Sequence, residues 1–213
     1  GYNNDIFGIG RDDASNLEQQ ISHSVNDSTI LTLSTDNNFT AENGTHTALS
    51  TNLSFLTLAN NGDDTEFAPV VNHPFSLVFN GSARKTNRNW QVQRVGTINA
   101  INLTDGDTLG ADYLIVSTDA TFDSTDHWFD YSNGYVADGD MSITQSGGTS
   151  ISFNQAMANG SFVTFAKDVY APGGVVDNLA LWLRADVGTS TTTNGAQLSQ
   201  WNDQSSIVNH AVQ

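Results

Sequence analysis

Of the 23 acidic residues in this 213-residue chain only Glu18, Glu42 and Glu66 are glutamate, and there are just two lysines, Lys85 and Lys167. Glu and Lys are good helix formers, whereas Asp, Asn, Ser, Thr and Gly favour turns, caps and strands. The imbalance argues against a mainly helical protein. A hydrophobic share of 38 % supplies material for a core, so the chain is expected to fold.

Short apolar runs at period two predict strands. They are Ile30-Leu31-Thr32-Leu33, Leu53 to Leu58, Phe75 to Phe79, Trp90 to Val95, Tyr113 to Val116, Ser142-Ile143-Thr144, Ile151-Ser152-Phe153 and Phe162 to Phe165. Between them lie Asn60-Asn61-Gly62-Asp63-Asp64, Asn80-Gly81-Ser82, Asp105-Gly106-Asp107 and Ser146-Gly147-Gly148. Gly and Asn tolerate positive φ, so these clusters read as turns. About eight such strands predict an all-β, antiparallel, jelly-roll-like β-sandwich. Ser15 to Gln20 has room for one helical turn.

A formal charge of −16 and a pI near 4.1 argue against nucleic acid, whose phosphates need a basic face, and against docking on anionic lipid. An acidic surface keeps a protein soluble and attracts cations, which leaves calcium as a candidate ligand. The chain has no Cys, which fits a reducing cytosol or an exported protein without disulfides; the Ser, Thr, Asn, Asp and Gly content favours export. No apolar run reaches the roughly 18 residues of a membrane span, and no charged-then-apolar leader opens the sequence. The start at Gly1-Tyr2-Asn3-Asn4-Asp5 reads as an internal segment of something longer, or as an end left by processing.

A boundary is expected at Ala171-Pro172-Gly173-Gly174, separating a sandwich of residues 1–170 from a segment of extra strands, 171–213. The second segment starts with Leu179-Ala180-Leu181-Trp182-Leu183-Arg184-Ala185-Asp186 and continues through Leu198 to Ser205. About two strands in 42 residues are too few to close a core, so the segment must pack on the sandwich or pair with a neighbouring copy.

The opening Tyr2-Asn3-Asn4-Asp5-Ile6-Phe7-Gly8-Ile9-Gly10-Arg11-Asp12-Asp13, with Leu17-Glu18-Gln19-Gln20 and Ser22-His23-Ser24, resembles a β-rich module of giant bacterial surface proteins. That module accompanies laminin-G-like, concanavalin-A-like lectin sandwiches. The segment Asn178 to Asp186, with Gln200-Trp201-Asn202-Asp203-Gln204-Ser205, looks like the first strands of such a lectin-like domain. The resemblance implies a secreted or cell-surface bacterial protein. The lectin-like part spans only about 40 residues, so most of its sugar-facing surface is missing and lectin activity does not carry over.

Four sets of residues invite a functional reading. Asp105 and Asp107, with Asp138 and Asp140, pair carboxylates in Gly-containing loops and suit calcium, against the plainer reading of hairpin turns. Asp126, Trp128 and Asp130 put an aromatic ring among carboxylates, which suits a sugar ligand; the alternative is a loop anchored by its aromatics. Arg84, Lys85 and Arg88, with Arg94, concentrate positive charge as a docking point for an acidic neighbour, or as a solvated hairpin. Leu181, Trp182 and Leu183 are candidates for pairing with a neighbour by strand addition. The five His residues (His23, His46, His73, His127, His210) are scattered without a zinc motif. No nucleophile elbow or phosphate loop is present, and seven Asn-x-Ser/Thr triplets follow from composition. The expected role is a non-enzymatic structural or adhesive module, possible as a filament subunit, with carbohydrate binding as the alternative. Its expected partners are neighbouring copies or domains and surface polysaccharide, with no nucleic acid and no membrane insertion.

Overall fold

Apolar residues at every second position become two-faced strands. In the computed structural model, β5 (Ser54–Asn60) buries Ser54, Leu56, Leu58 and Asn60 and leaves Phe55, Thr57 and Ala59 half covered. The structure describes residues 1–26, 30–72, 82–98, 100–105, 108–130, 143–145, 150–153, 157–168, 179–184, 188–205 and 209–213. It divides into two compact units, Gly1–Phe75 with Ala83–Asp168, and Ser76–Ser82 with Val169–Gln213. The expected boundary residues Ala171 to Gly174, the run Phe75 to Phe79 and the turn residues Asn80, Gly81, Gly106 and Ser146 to Gly148 lie outside the described residues.

The first unit is an all-β, antiparallel sandwich. Its larger sheet contains β1 (Asn4–Asp12), β2 (Leu17–Gln19), β5, β6 (Phe67–Asn72), β7 (Ser82–Thr86), β8 (Trp90–Val95), β10 (Tyr113–Ser117), β11 (His127–Asp130) and β14 (Phe162–Asp168). Along its main path the order is β11-β10-β14-β8-β5-β1-β2, and β7 links β14 to β6. The smaller sheet runs β12 (Ile143–Gln145), β13 (Ser150–Phe153), β9 (Ile101–Thr104), β4 (Thr32–Ser34) and β3 (Ile21–His23). Residues 13–16 make the turn between β1 and β2. Hairpin pairing of Asp12 with Leu17 replaces the helical turn that Ser15 to Gln20 had room for.

Phe7, Ile9, Leu56, Leu58, Val92, Leu114, Val116, Val163 and Phe165 from the larger sheet meet Leu33, Ile101 and Leu103 from the smaller one in the main core. The larger sheet is also covered on part of its other face. There Val71, Ala83, Tyr113, Ile115, Phe122, Trp128 and Ala166 form a second cluster. This is why β10 is buried at all five positions: a strand covered on both faces reads as a continuous apolar run.

β7 and β8 pair in turn with the same strand, β14, but their registers differ: Lys85 faces Ala166, whereas Trp90 faces Val163. The extra residues bulge between them. Thr86 Oγ1 and Thr164 Oγ1 both donate to the Arg88 carbonyl, at 2.7 and 3.1 Å, which satisfies a buried acceptor freed by the bulge.

In the second unit, of the strand expected through Leu179 to Asp186, the described residues 179–184 make one bridge, Leu183 with Asp203; residues 185 and 186 lie outside the described residues. β15 (Gln200–Trp201) pairs with β16 (Ala211–Val212).

Candidate functional site

The basic residues differ in how far they are covered: Arg88 is buried, while Arg84, Lys85 and Arg94 are half covered. Arg84 Nη1 donates to the Ala68 carbonyl at 2.7 Å. Lys85 Nζ donates to Thr86 O at 3.0 Å and Asn89 Oδ1 at 3.1 Å, and it stands 5.2 Å from the Phe122 ring centroid. Burial pushes the Lys85 ammonium below its ordinary range. Arg88 is 8 % exposed; its Nε donates to Asp63 O at 2.7 Å and its Nη1 lies 3.7 Å from Asp5 Oδ2. Arg88 is thus turned inward, while Arg84 and Lys85 stay half covered and bond to groups of their own unit.

Trp128 is 0 % exposed. Its Nε1 donates to the Asp123 carbonyl at 2.8 Å and its ring meets Tyr113 edge-on at 5.6 Å. A buried ring offers no face for a sugar to stack on. Strand alternation is the reason: Phe129 enters the main core, so Trp128 must enter the second cluster. Burial raises the Asp126 carboxyl above the ordinary carboxylate range while its Oδ2 accepts the Asp123 N–H at 2.8 Å. Asp130 pairs with Tyr113 in the β10–β11 ladder.

Asp105 is buried; its carbonyl accepts Thr108 N–H at 3.2 Å, and its Oδ2 accepts Leu109 N–H at 3.3 Å. The other members of the calcium reading, Asp107, Asp138 and Asp140, lie outside the described residues. Among the described residues no three His or carboxylate side chains are grouped to hold a metal ion.

Trp182 and Leu183 flank a polar hub in the second unit, Leu183 through its bridge to Asp203, while Leu181 is half exposed. Asp203 Oδ1 accepts the N–H of Trp182 at 2.7 Å and of Ser205 at 2.9 Å; Oδ2 accepts Ser205 Oγ–H at 2.5 Å and Asn209 N–H at 2.8 Å. Burial alone would raise this carboxyl, but the donors outweigh it and hold it far below the ordinary range. Trp201 Nε1 donates to Arg184 O at 2.7 Å, and the Arg184 guanidinium lies 5.3 Å from the Trp182 ring. The buried residues of this unit, among those described, are Asp203 and Ser205. Its described apolar side chains are half covered or exposed, Leu181 at 50 % and Val212 at 73 %.

One polar group escaped the sequence reading. His46 is buried with Nδ1 2.8 Å from Asp36 Oδ1 and 3.3 Å from Ser34 Oγ, and Nε2 3.2 Å from the Ala41 carbonyl. Ser, His and Asp here do not make a hydrolytic triad, because hydroxyl and carboxylate share one ring nitrogen while a carbonyl takes the other. The only signal for this group was three polar residues within a 13-residue span, a pattern common in a chain so rich in Ser and Asp.

Residues 1–147 match the family described as a domain of unknown function, DUF8202, and the chain belongs to that family. No curated protein and no solved structure matches the chain. Among the described residues, no helix is long and apolar enough to cross a membrane.

Proposed function

We propose that this chain is a non-enzymatic structural module of a bacterial extracellular surface protein, joined to neighbouring copies by strand addition through its second unit. The observation that carries the reading is the contrast within that unit. Its polar hub at Asp203 is fully bonded, while none of its described apolar side chains is buried. Short strands held by polar bonds, with Leu181 and Val212 left in water, suit pairing with another chain's strand, in which backbone bonds supply affinity and side-chain pockets supply register. Head-to-tail contacts of this kind generate open fibres. The charge of −16 keeps such assemblies soluble, and calcium, where bound, would screen their mutual repulsion.

Electron microscopy of the purified chain, with and without calcium, tests this reading beside Leu181→Asp and Val212→Asp variants and a chain ending at Tyr170. Fibres that disappear in the variants and on truncation are expected. Dispersed monomers under every condition overturn the assembly reading. Specific retention of those monomers on a polysaccharide would move the assignment to carbohydrate binding.

A further inference from the structure

The segment between β4 and β5 crosses from one sheet to the other, and its anchors are polar. Asn43 Oδ1 accepts Gln20 N–H at 2.7 Å, Asn43 Nδ2 donates to Glu18 O at 2.9 Å, and Gly44 N donates to Gln20 Oε1 at 3.0 Å. Leu49, whose N–H donates to Glu18 Oε1 at 3.1 Å, enters the main core. Across the base of this loop Asp36 accepts Thr47 N–H at 2.9 Å and faces His46 at 2.8 Å.

We propose that this crossover is a pH-operated clasp, closed when His46 is an imidazolium and released when the ring loses a proton. Two protons on the ring satisfy both acceptors it faces. One nitrogen faces a carboxylate oxygen and the other a carbonyl oxygen, both acceptors. Either neutral tautomer leaves a ring lone pair against an oxygen lone pair in a buried site. In the Nε2–H tautomer the Ser34 hydroxyl, at 3.3 Å, can donate to Nδ1, but the bond from Nδ1 to the Asp36 carboxylate is lost.

Asp36 is the charged group bonded to the ring. The other charges of this corner are committed elsewhere. Arg11 reaches Asp13 through Nε at 2.7 Å and the Leu49 carbonyl through Nη1 at 2.6 Å. Glu18 holds Leu49, and the Glu42 carbonyl accepts Thr45 N–H at 3.2 Å while its carboxylate belongs to an exposed residue.

The hydrogen bond to Asp36 raises the ring above the ordinary His range, against the opposing effect of burial. For Asp36, burial raises the carboxyl, but the bonds from His46, Thr47 and Asn38 prevail and hold it below its ordinary value. A raised His contributes fully below its unfolded pKa of about 6.5, and that contribution is lost as pH rises through the folded value. A lowered Asp contributes above about 4, and its share is lost as pH falls through its own folded value. The clasp is therefore tightest in mildly acidic solution and opens on the alkaline side.

The test is NMR titration of the His46 ring in the full chain, with hydrogen exchange of Gly44, Thr47 and Leu49 amides corrected for the intrinsic rate. Expected is a ring that titrates above about 6.5, with loop protection falling through that titration by about tenfold for each pH unit of the shift. Leu56 and Val92 should stay protected throughout. Asp36→Asn should lower the ring's pKa and abolish the step. A ring already neutral below pH 6, or loop protection that does not change through the titration, overturns the proposal; wild-type protein alone decides if the variant does not fold.

Discussion

Gly10 of β1 lies beneath the ring of Phe55 on β5: a Cβ built on Gly10 would stand 2.4 Å from Phe55 Cδ1. At Gly8 the same atom would meet Thr57 Cγ2 at 2.6 Å and the Leu56 carbonyl at 2.4 Å. Phe7 and Ile9 point into the core, so the alternating Phe7-Gly8-Ile9-Gly10 is a strand whose outer face is occupied by its neighbour's side chains. Gly10→Ala should cost about 1–3 kcal/mol, the range for overpacking, and Gly8→Ala more because a carbonyl cannot rotate away. Urea midpoints measure both. Phe55→Leu in the Gly10→Ala background should recover part of the loss, whereas equal midpoints for Gly10→Ala and wild type would refute the contact.

Arg88 and Arg84, four residues apart, should behave very differently. Arg88 bridges the Asp63 carbonyl and the Asp5 carboxylate, which also accepts Asn60 Nδ2 at 2.7 Å and Asn26 Nδ2 at 2.5 Å. Removing it takes the cation from beside that carboxylate and leaves the Asp63 carbonyl without this donor, so Arg88→Ala is expected to lose about 2–3 kcal/mol. Arg84→Ala removes the bond to the Ala68 carbonyl near the surface and should cost about 1 kcal/mol. Comparable losses in denaturant unfolding would contradict the internal placement of Arg88.

Asp203 sets the acid tolerance of the second unit. Its carboxyl is held far below the ordinary range, so the stability it contributes is complete above about pH 4 and is lost as pH falls through the folded value. The indole N–H resonance of Trp201, bonded to Arg184, should keep its native position at pH 4 and move only in stronger acid. In Asp203→Asn, which exchanges an acceptor oxygen for a donor, the resonance should be displaced already at neutral pH. A native resonance in that variant would show that the four bonds do not organise the unit.

Much of the sandwich was legible. The runs at Leu53 to Leu58, Trp90 to Val95, Tyr113 to Val116 and Phe162 to Phe165 fall on β5, β8, β10 and β14. β1 was harder to read because glycines occupy its outward positions, and β9 because Ile101-Asn102-Leu103-Thr104 is four residues long and buried throughout. Of the strand expected at Leu179 to Asp186, the described residues 179–184 make a single bridge, because apolar periodicity makes a strand only where a partner's backbone is available. Arg88 looked like a surface group, and Trp128 read either as a sugar platform or as a loop anchor, because sequence shows which residues cluster along the chain, not which way a strand turns them.

The sequence by itself determined the all-β class: alternation and turn chemistry act over two to four residues, within reach of local sterics. The tertiary structure decided what each polar side chain is for. Thr86 finds Thr164 and Arg88 finds Asp5 across 78 and 83 positions of chain, and His46 receives its two acceptors only when the crossover closes. Partners so distant are brought together by pairing register and by burial of the two cores, which no short stretch of sequence encodes.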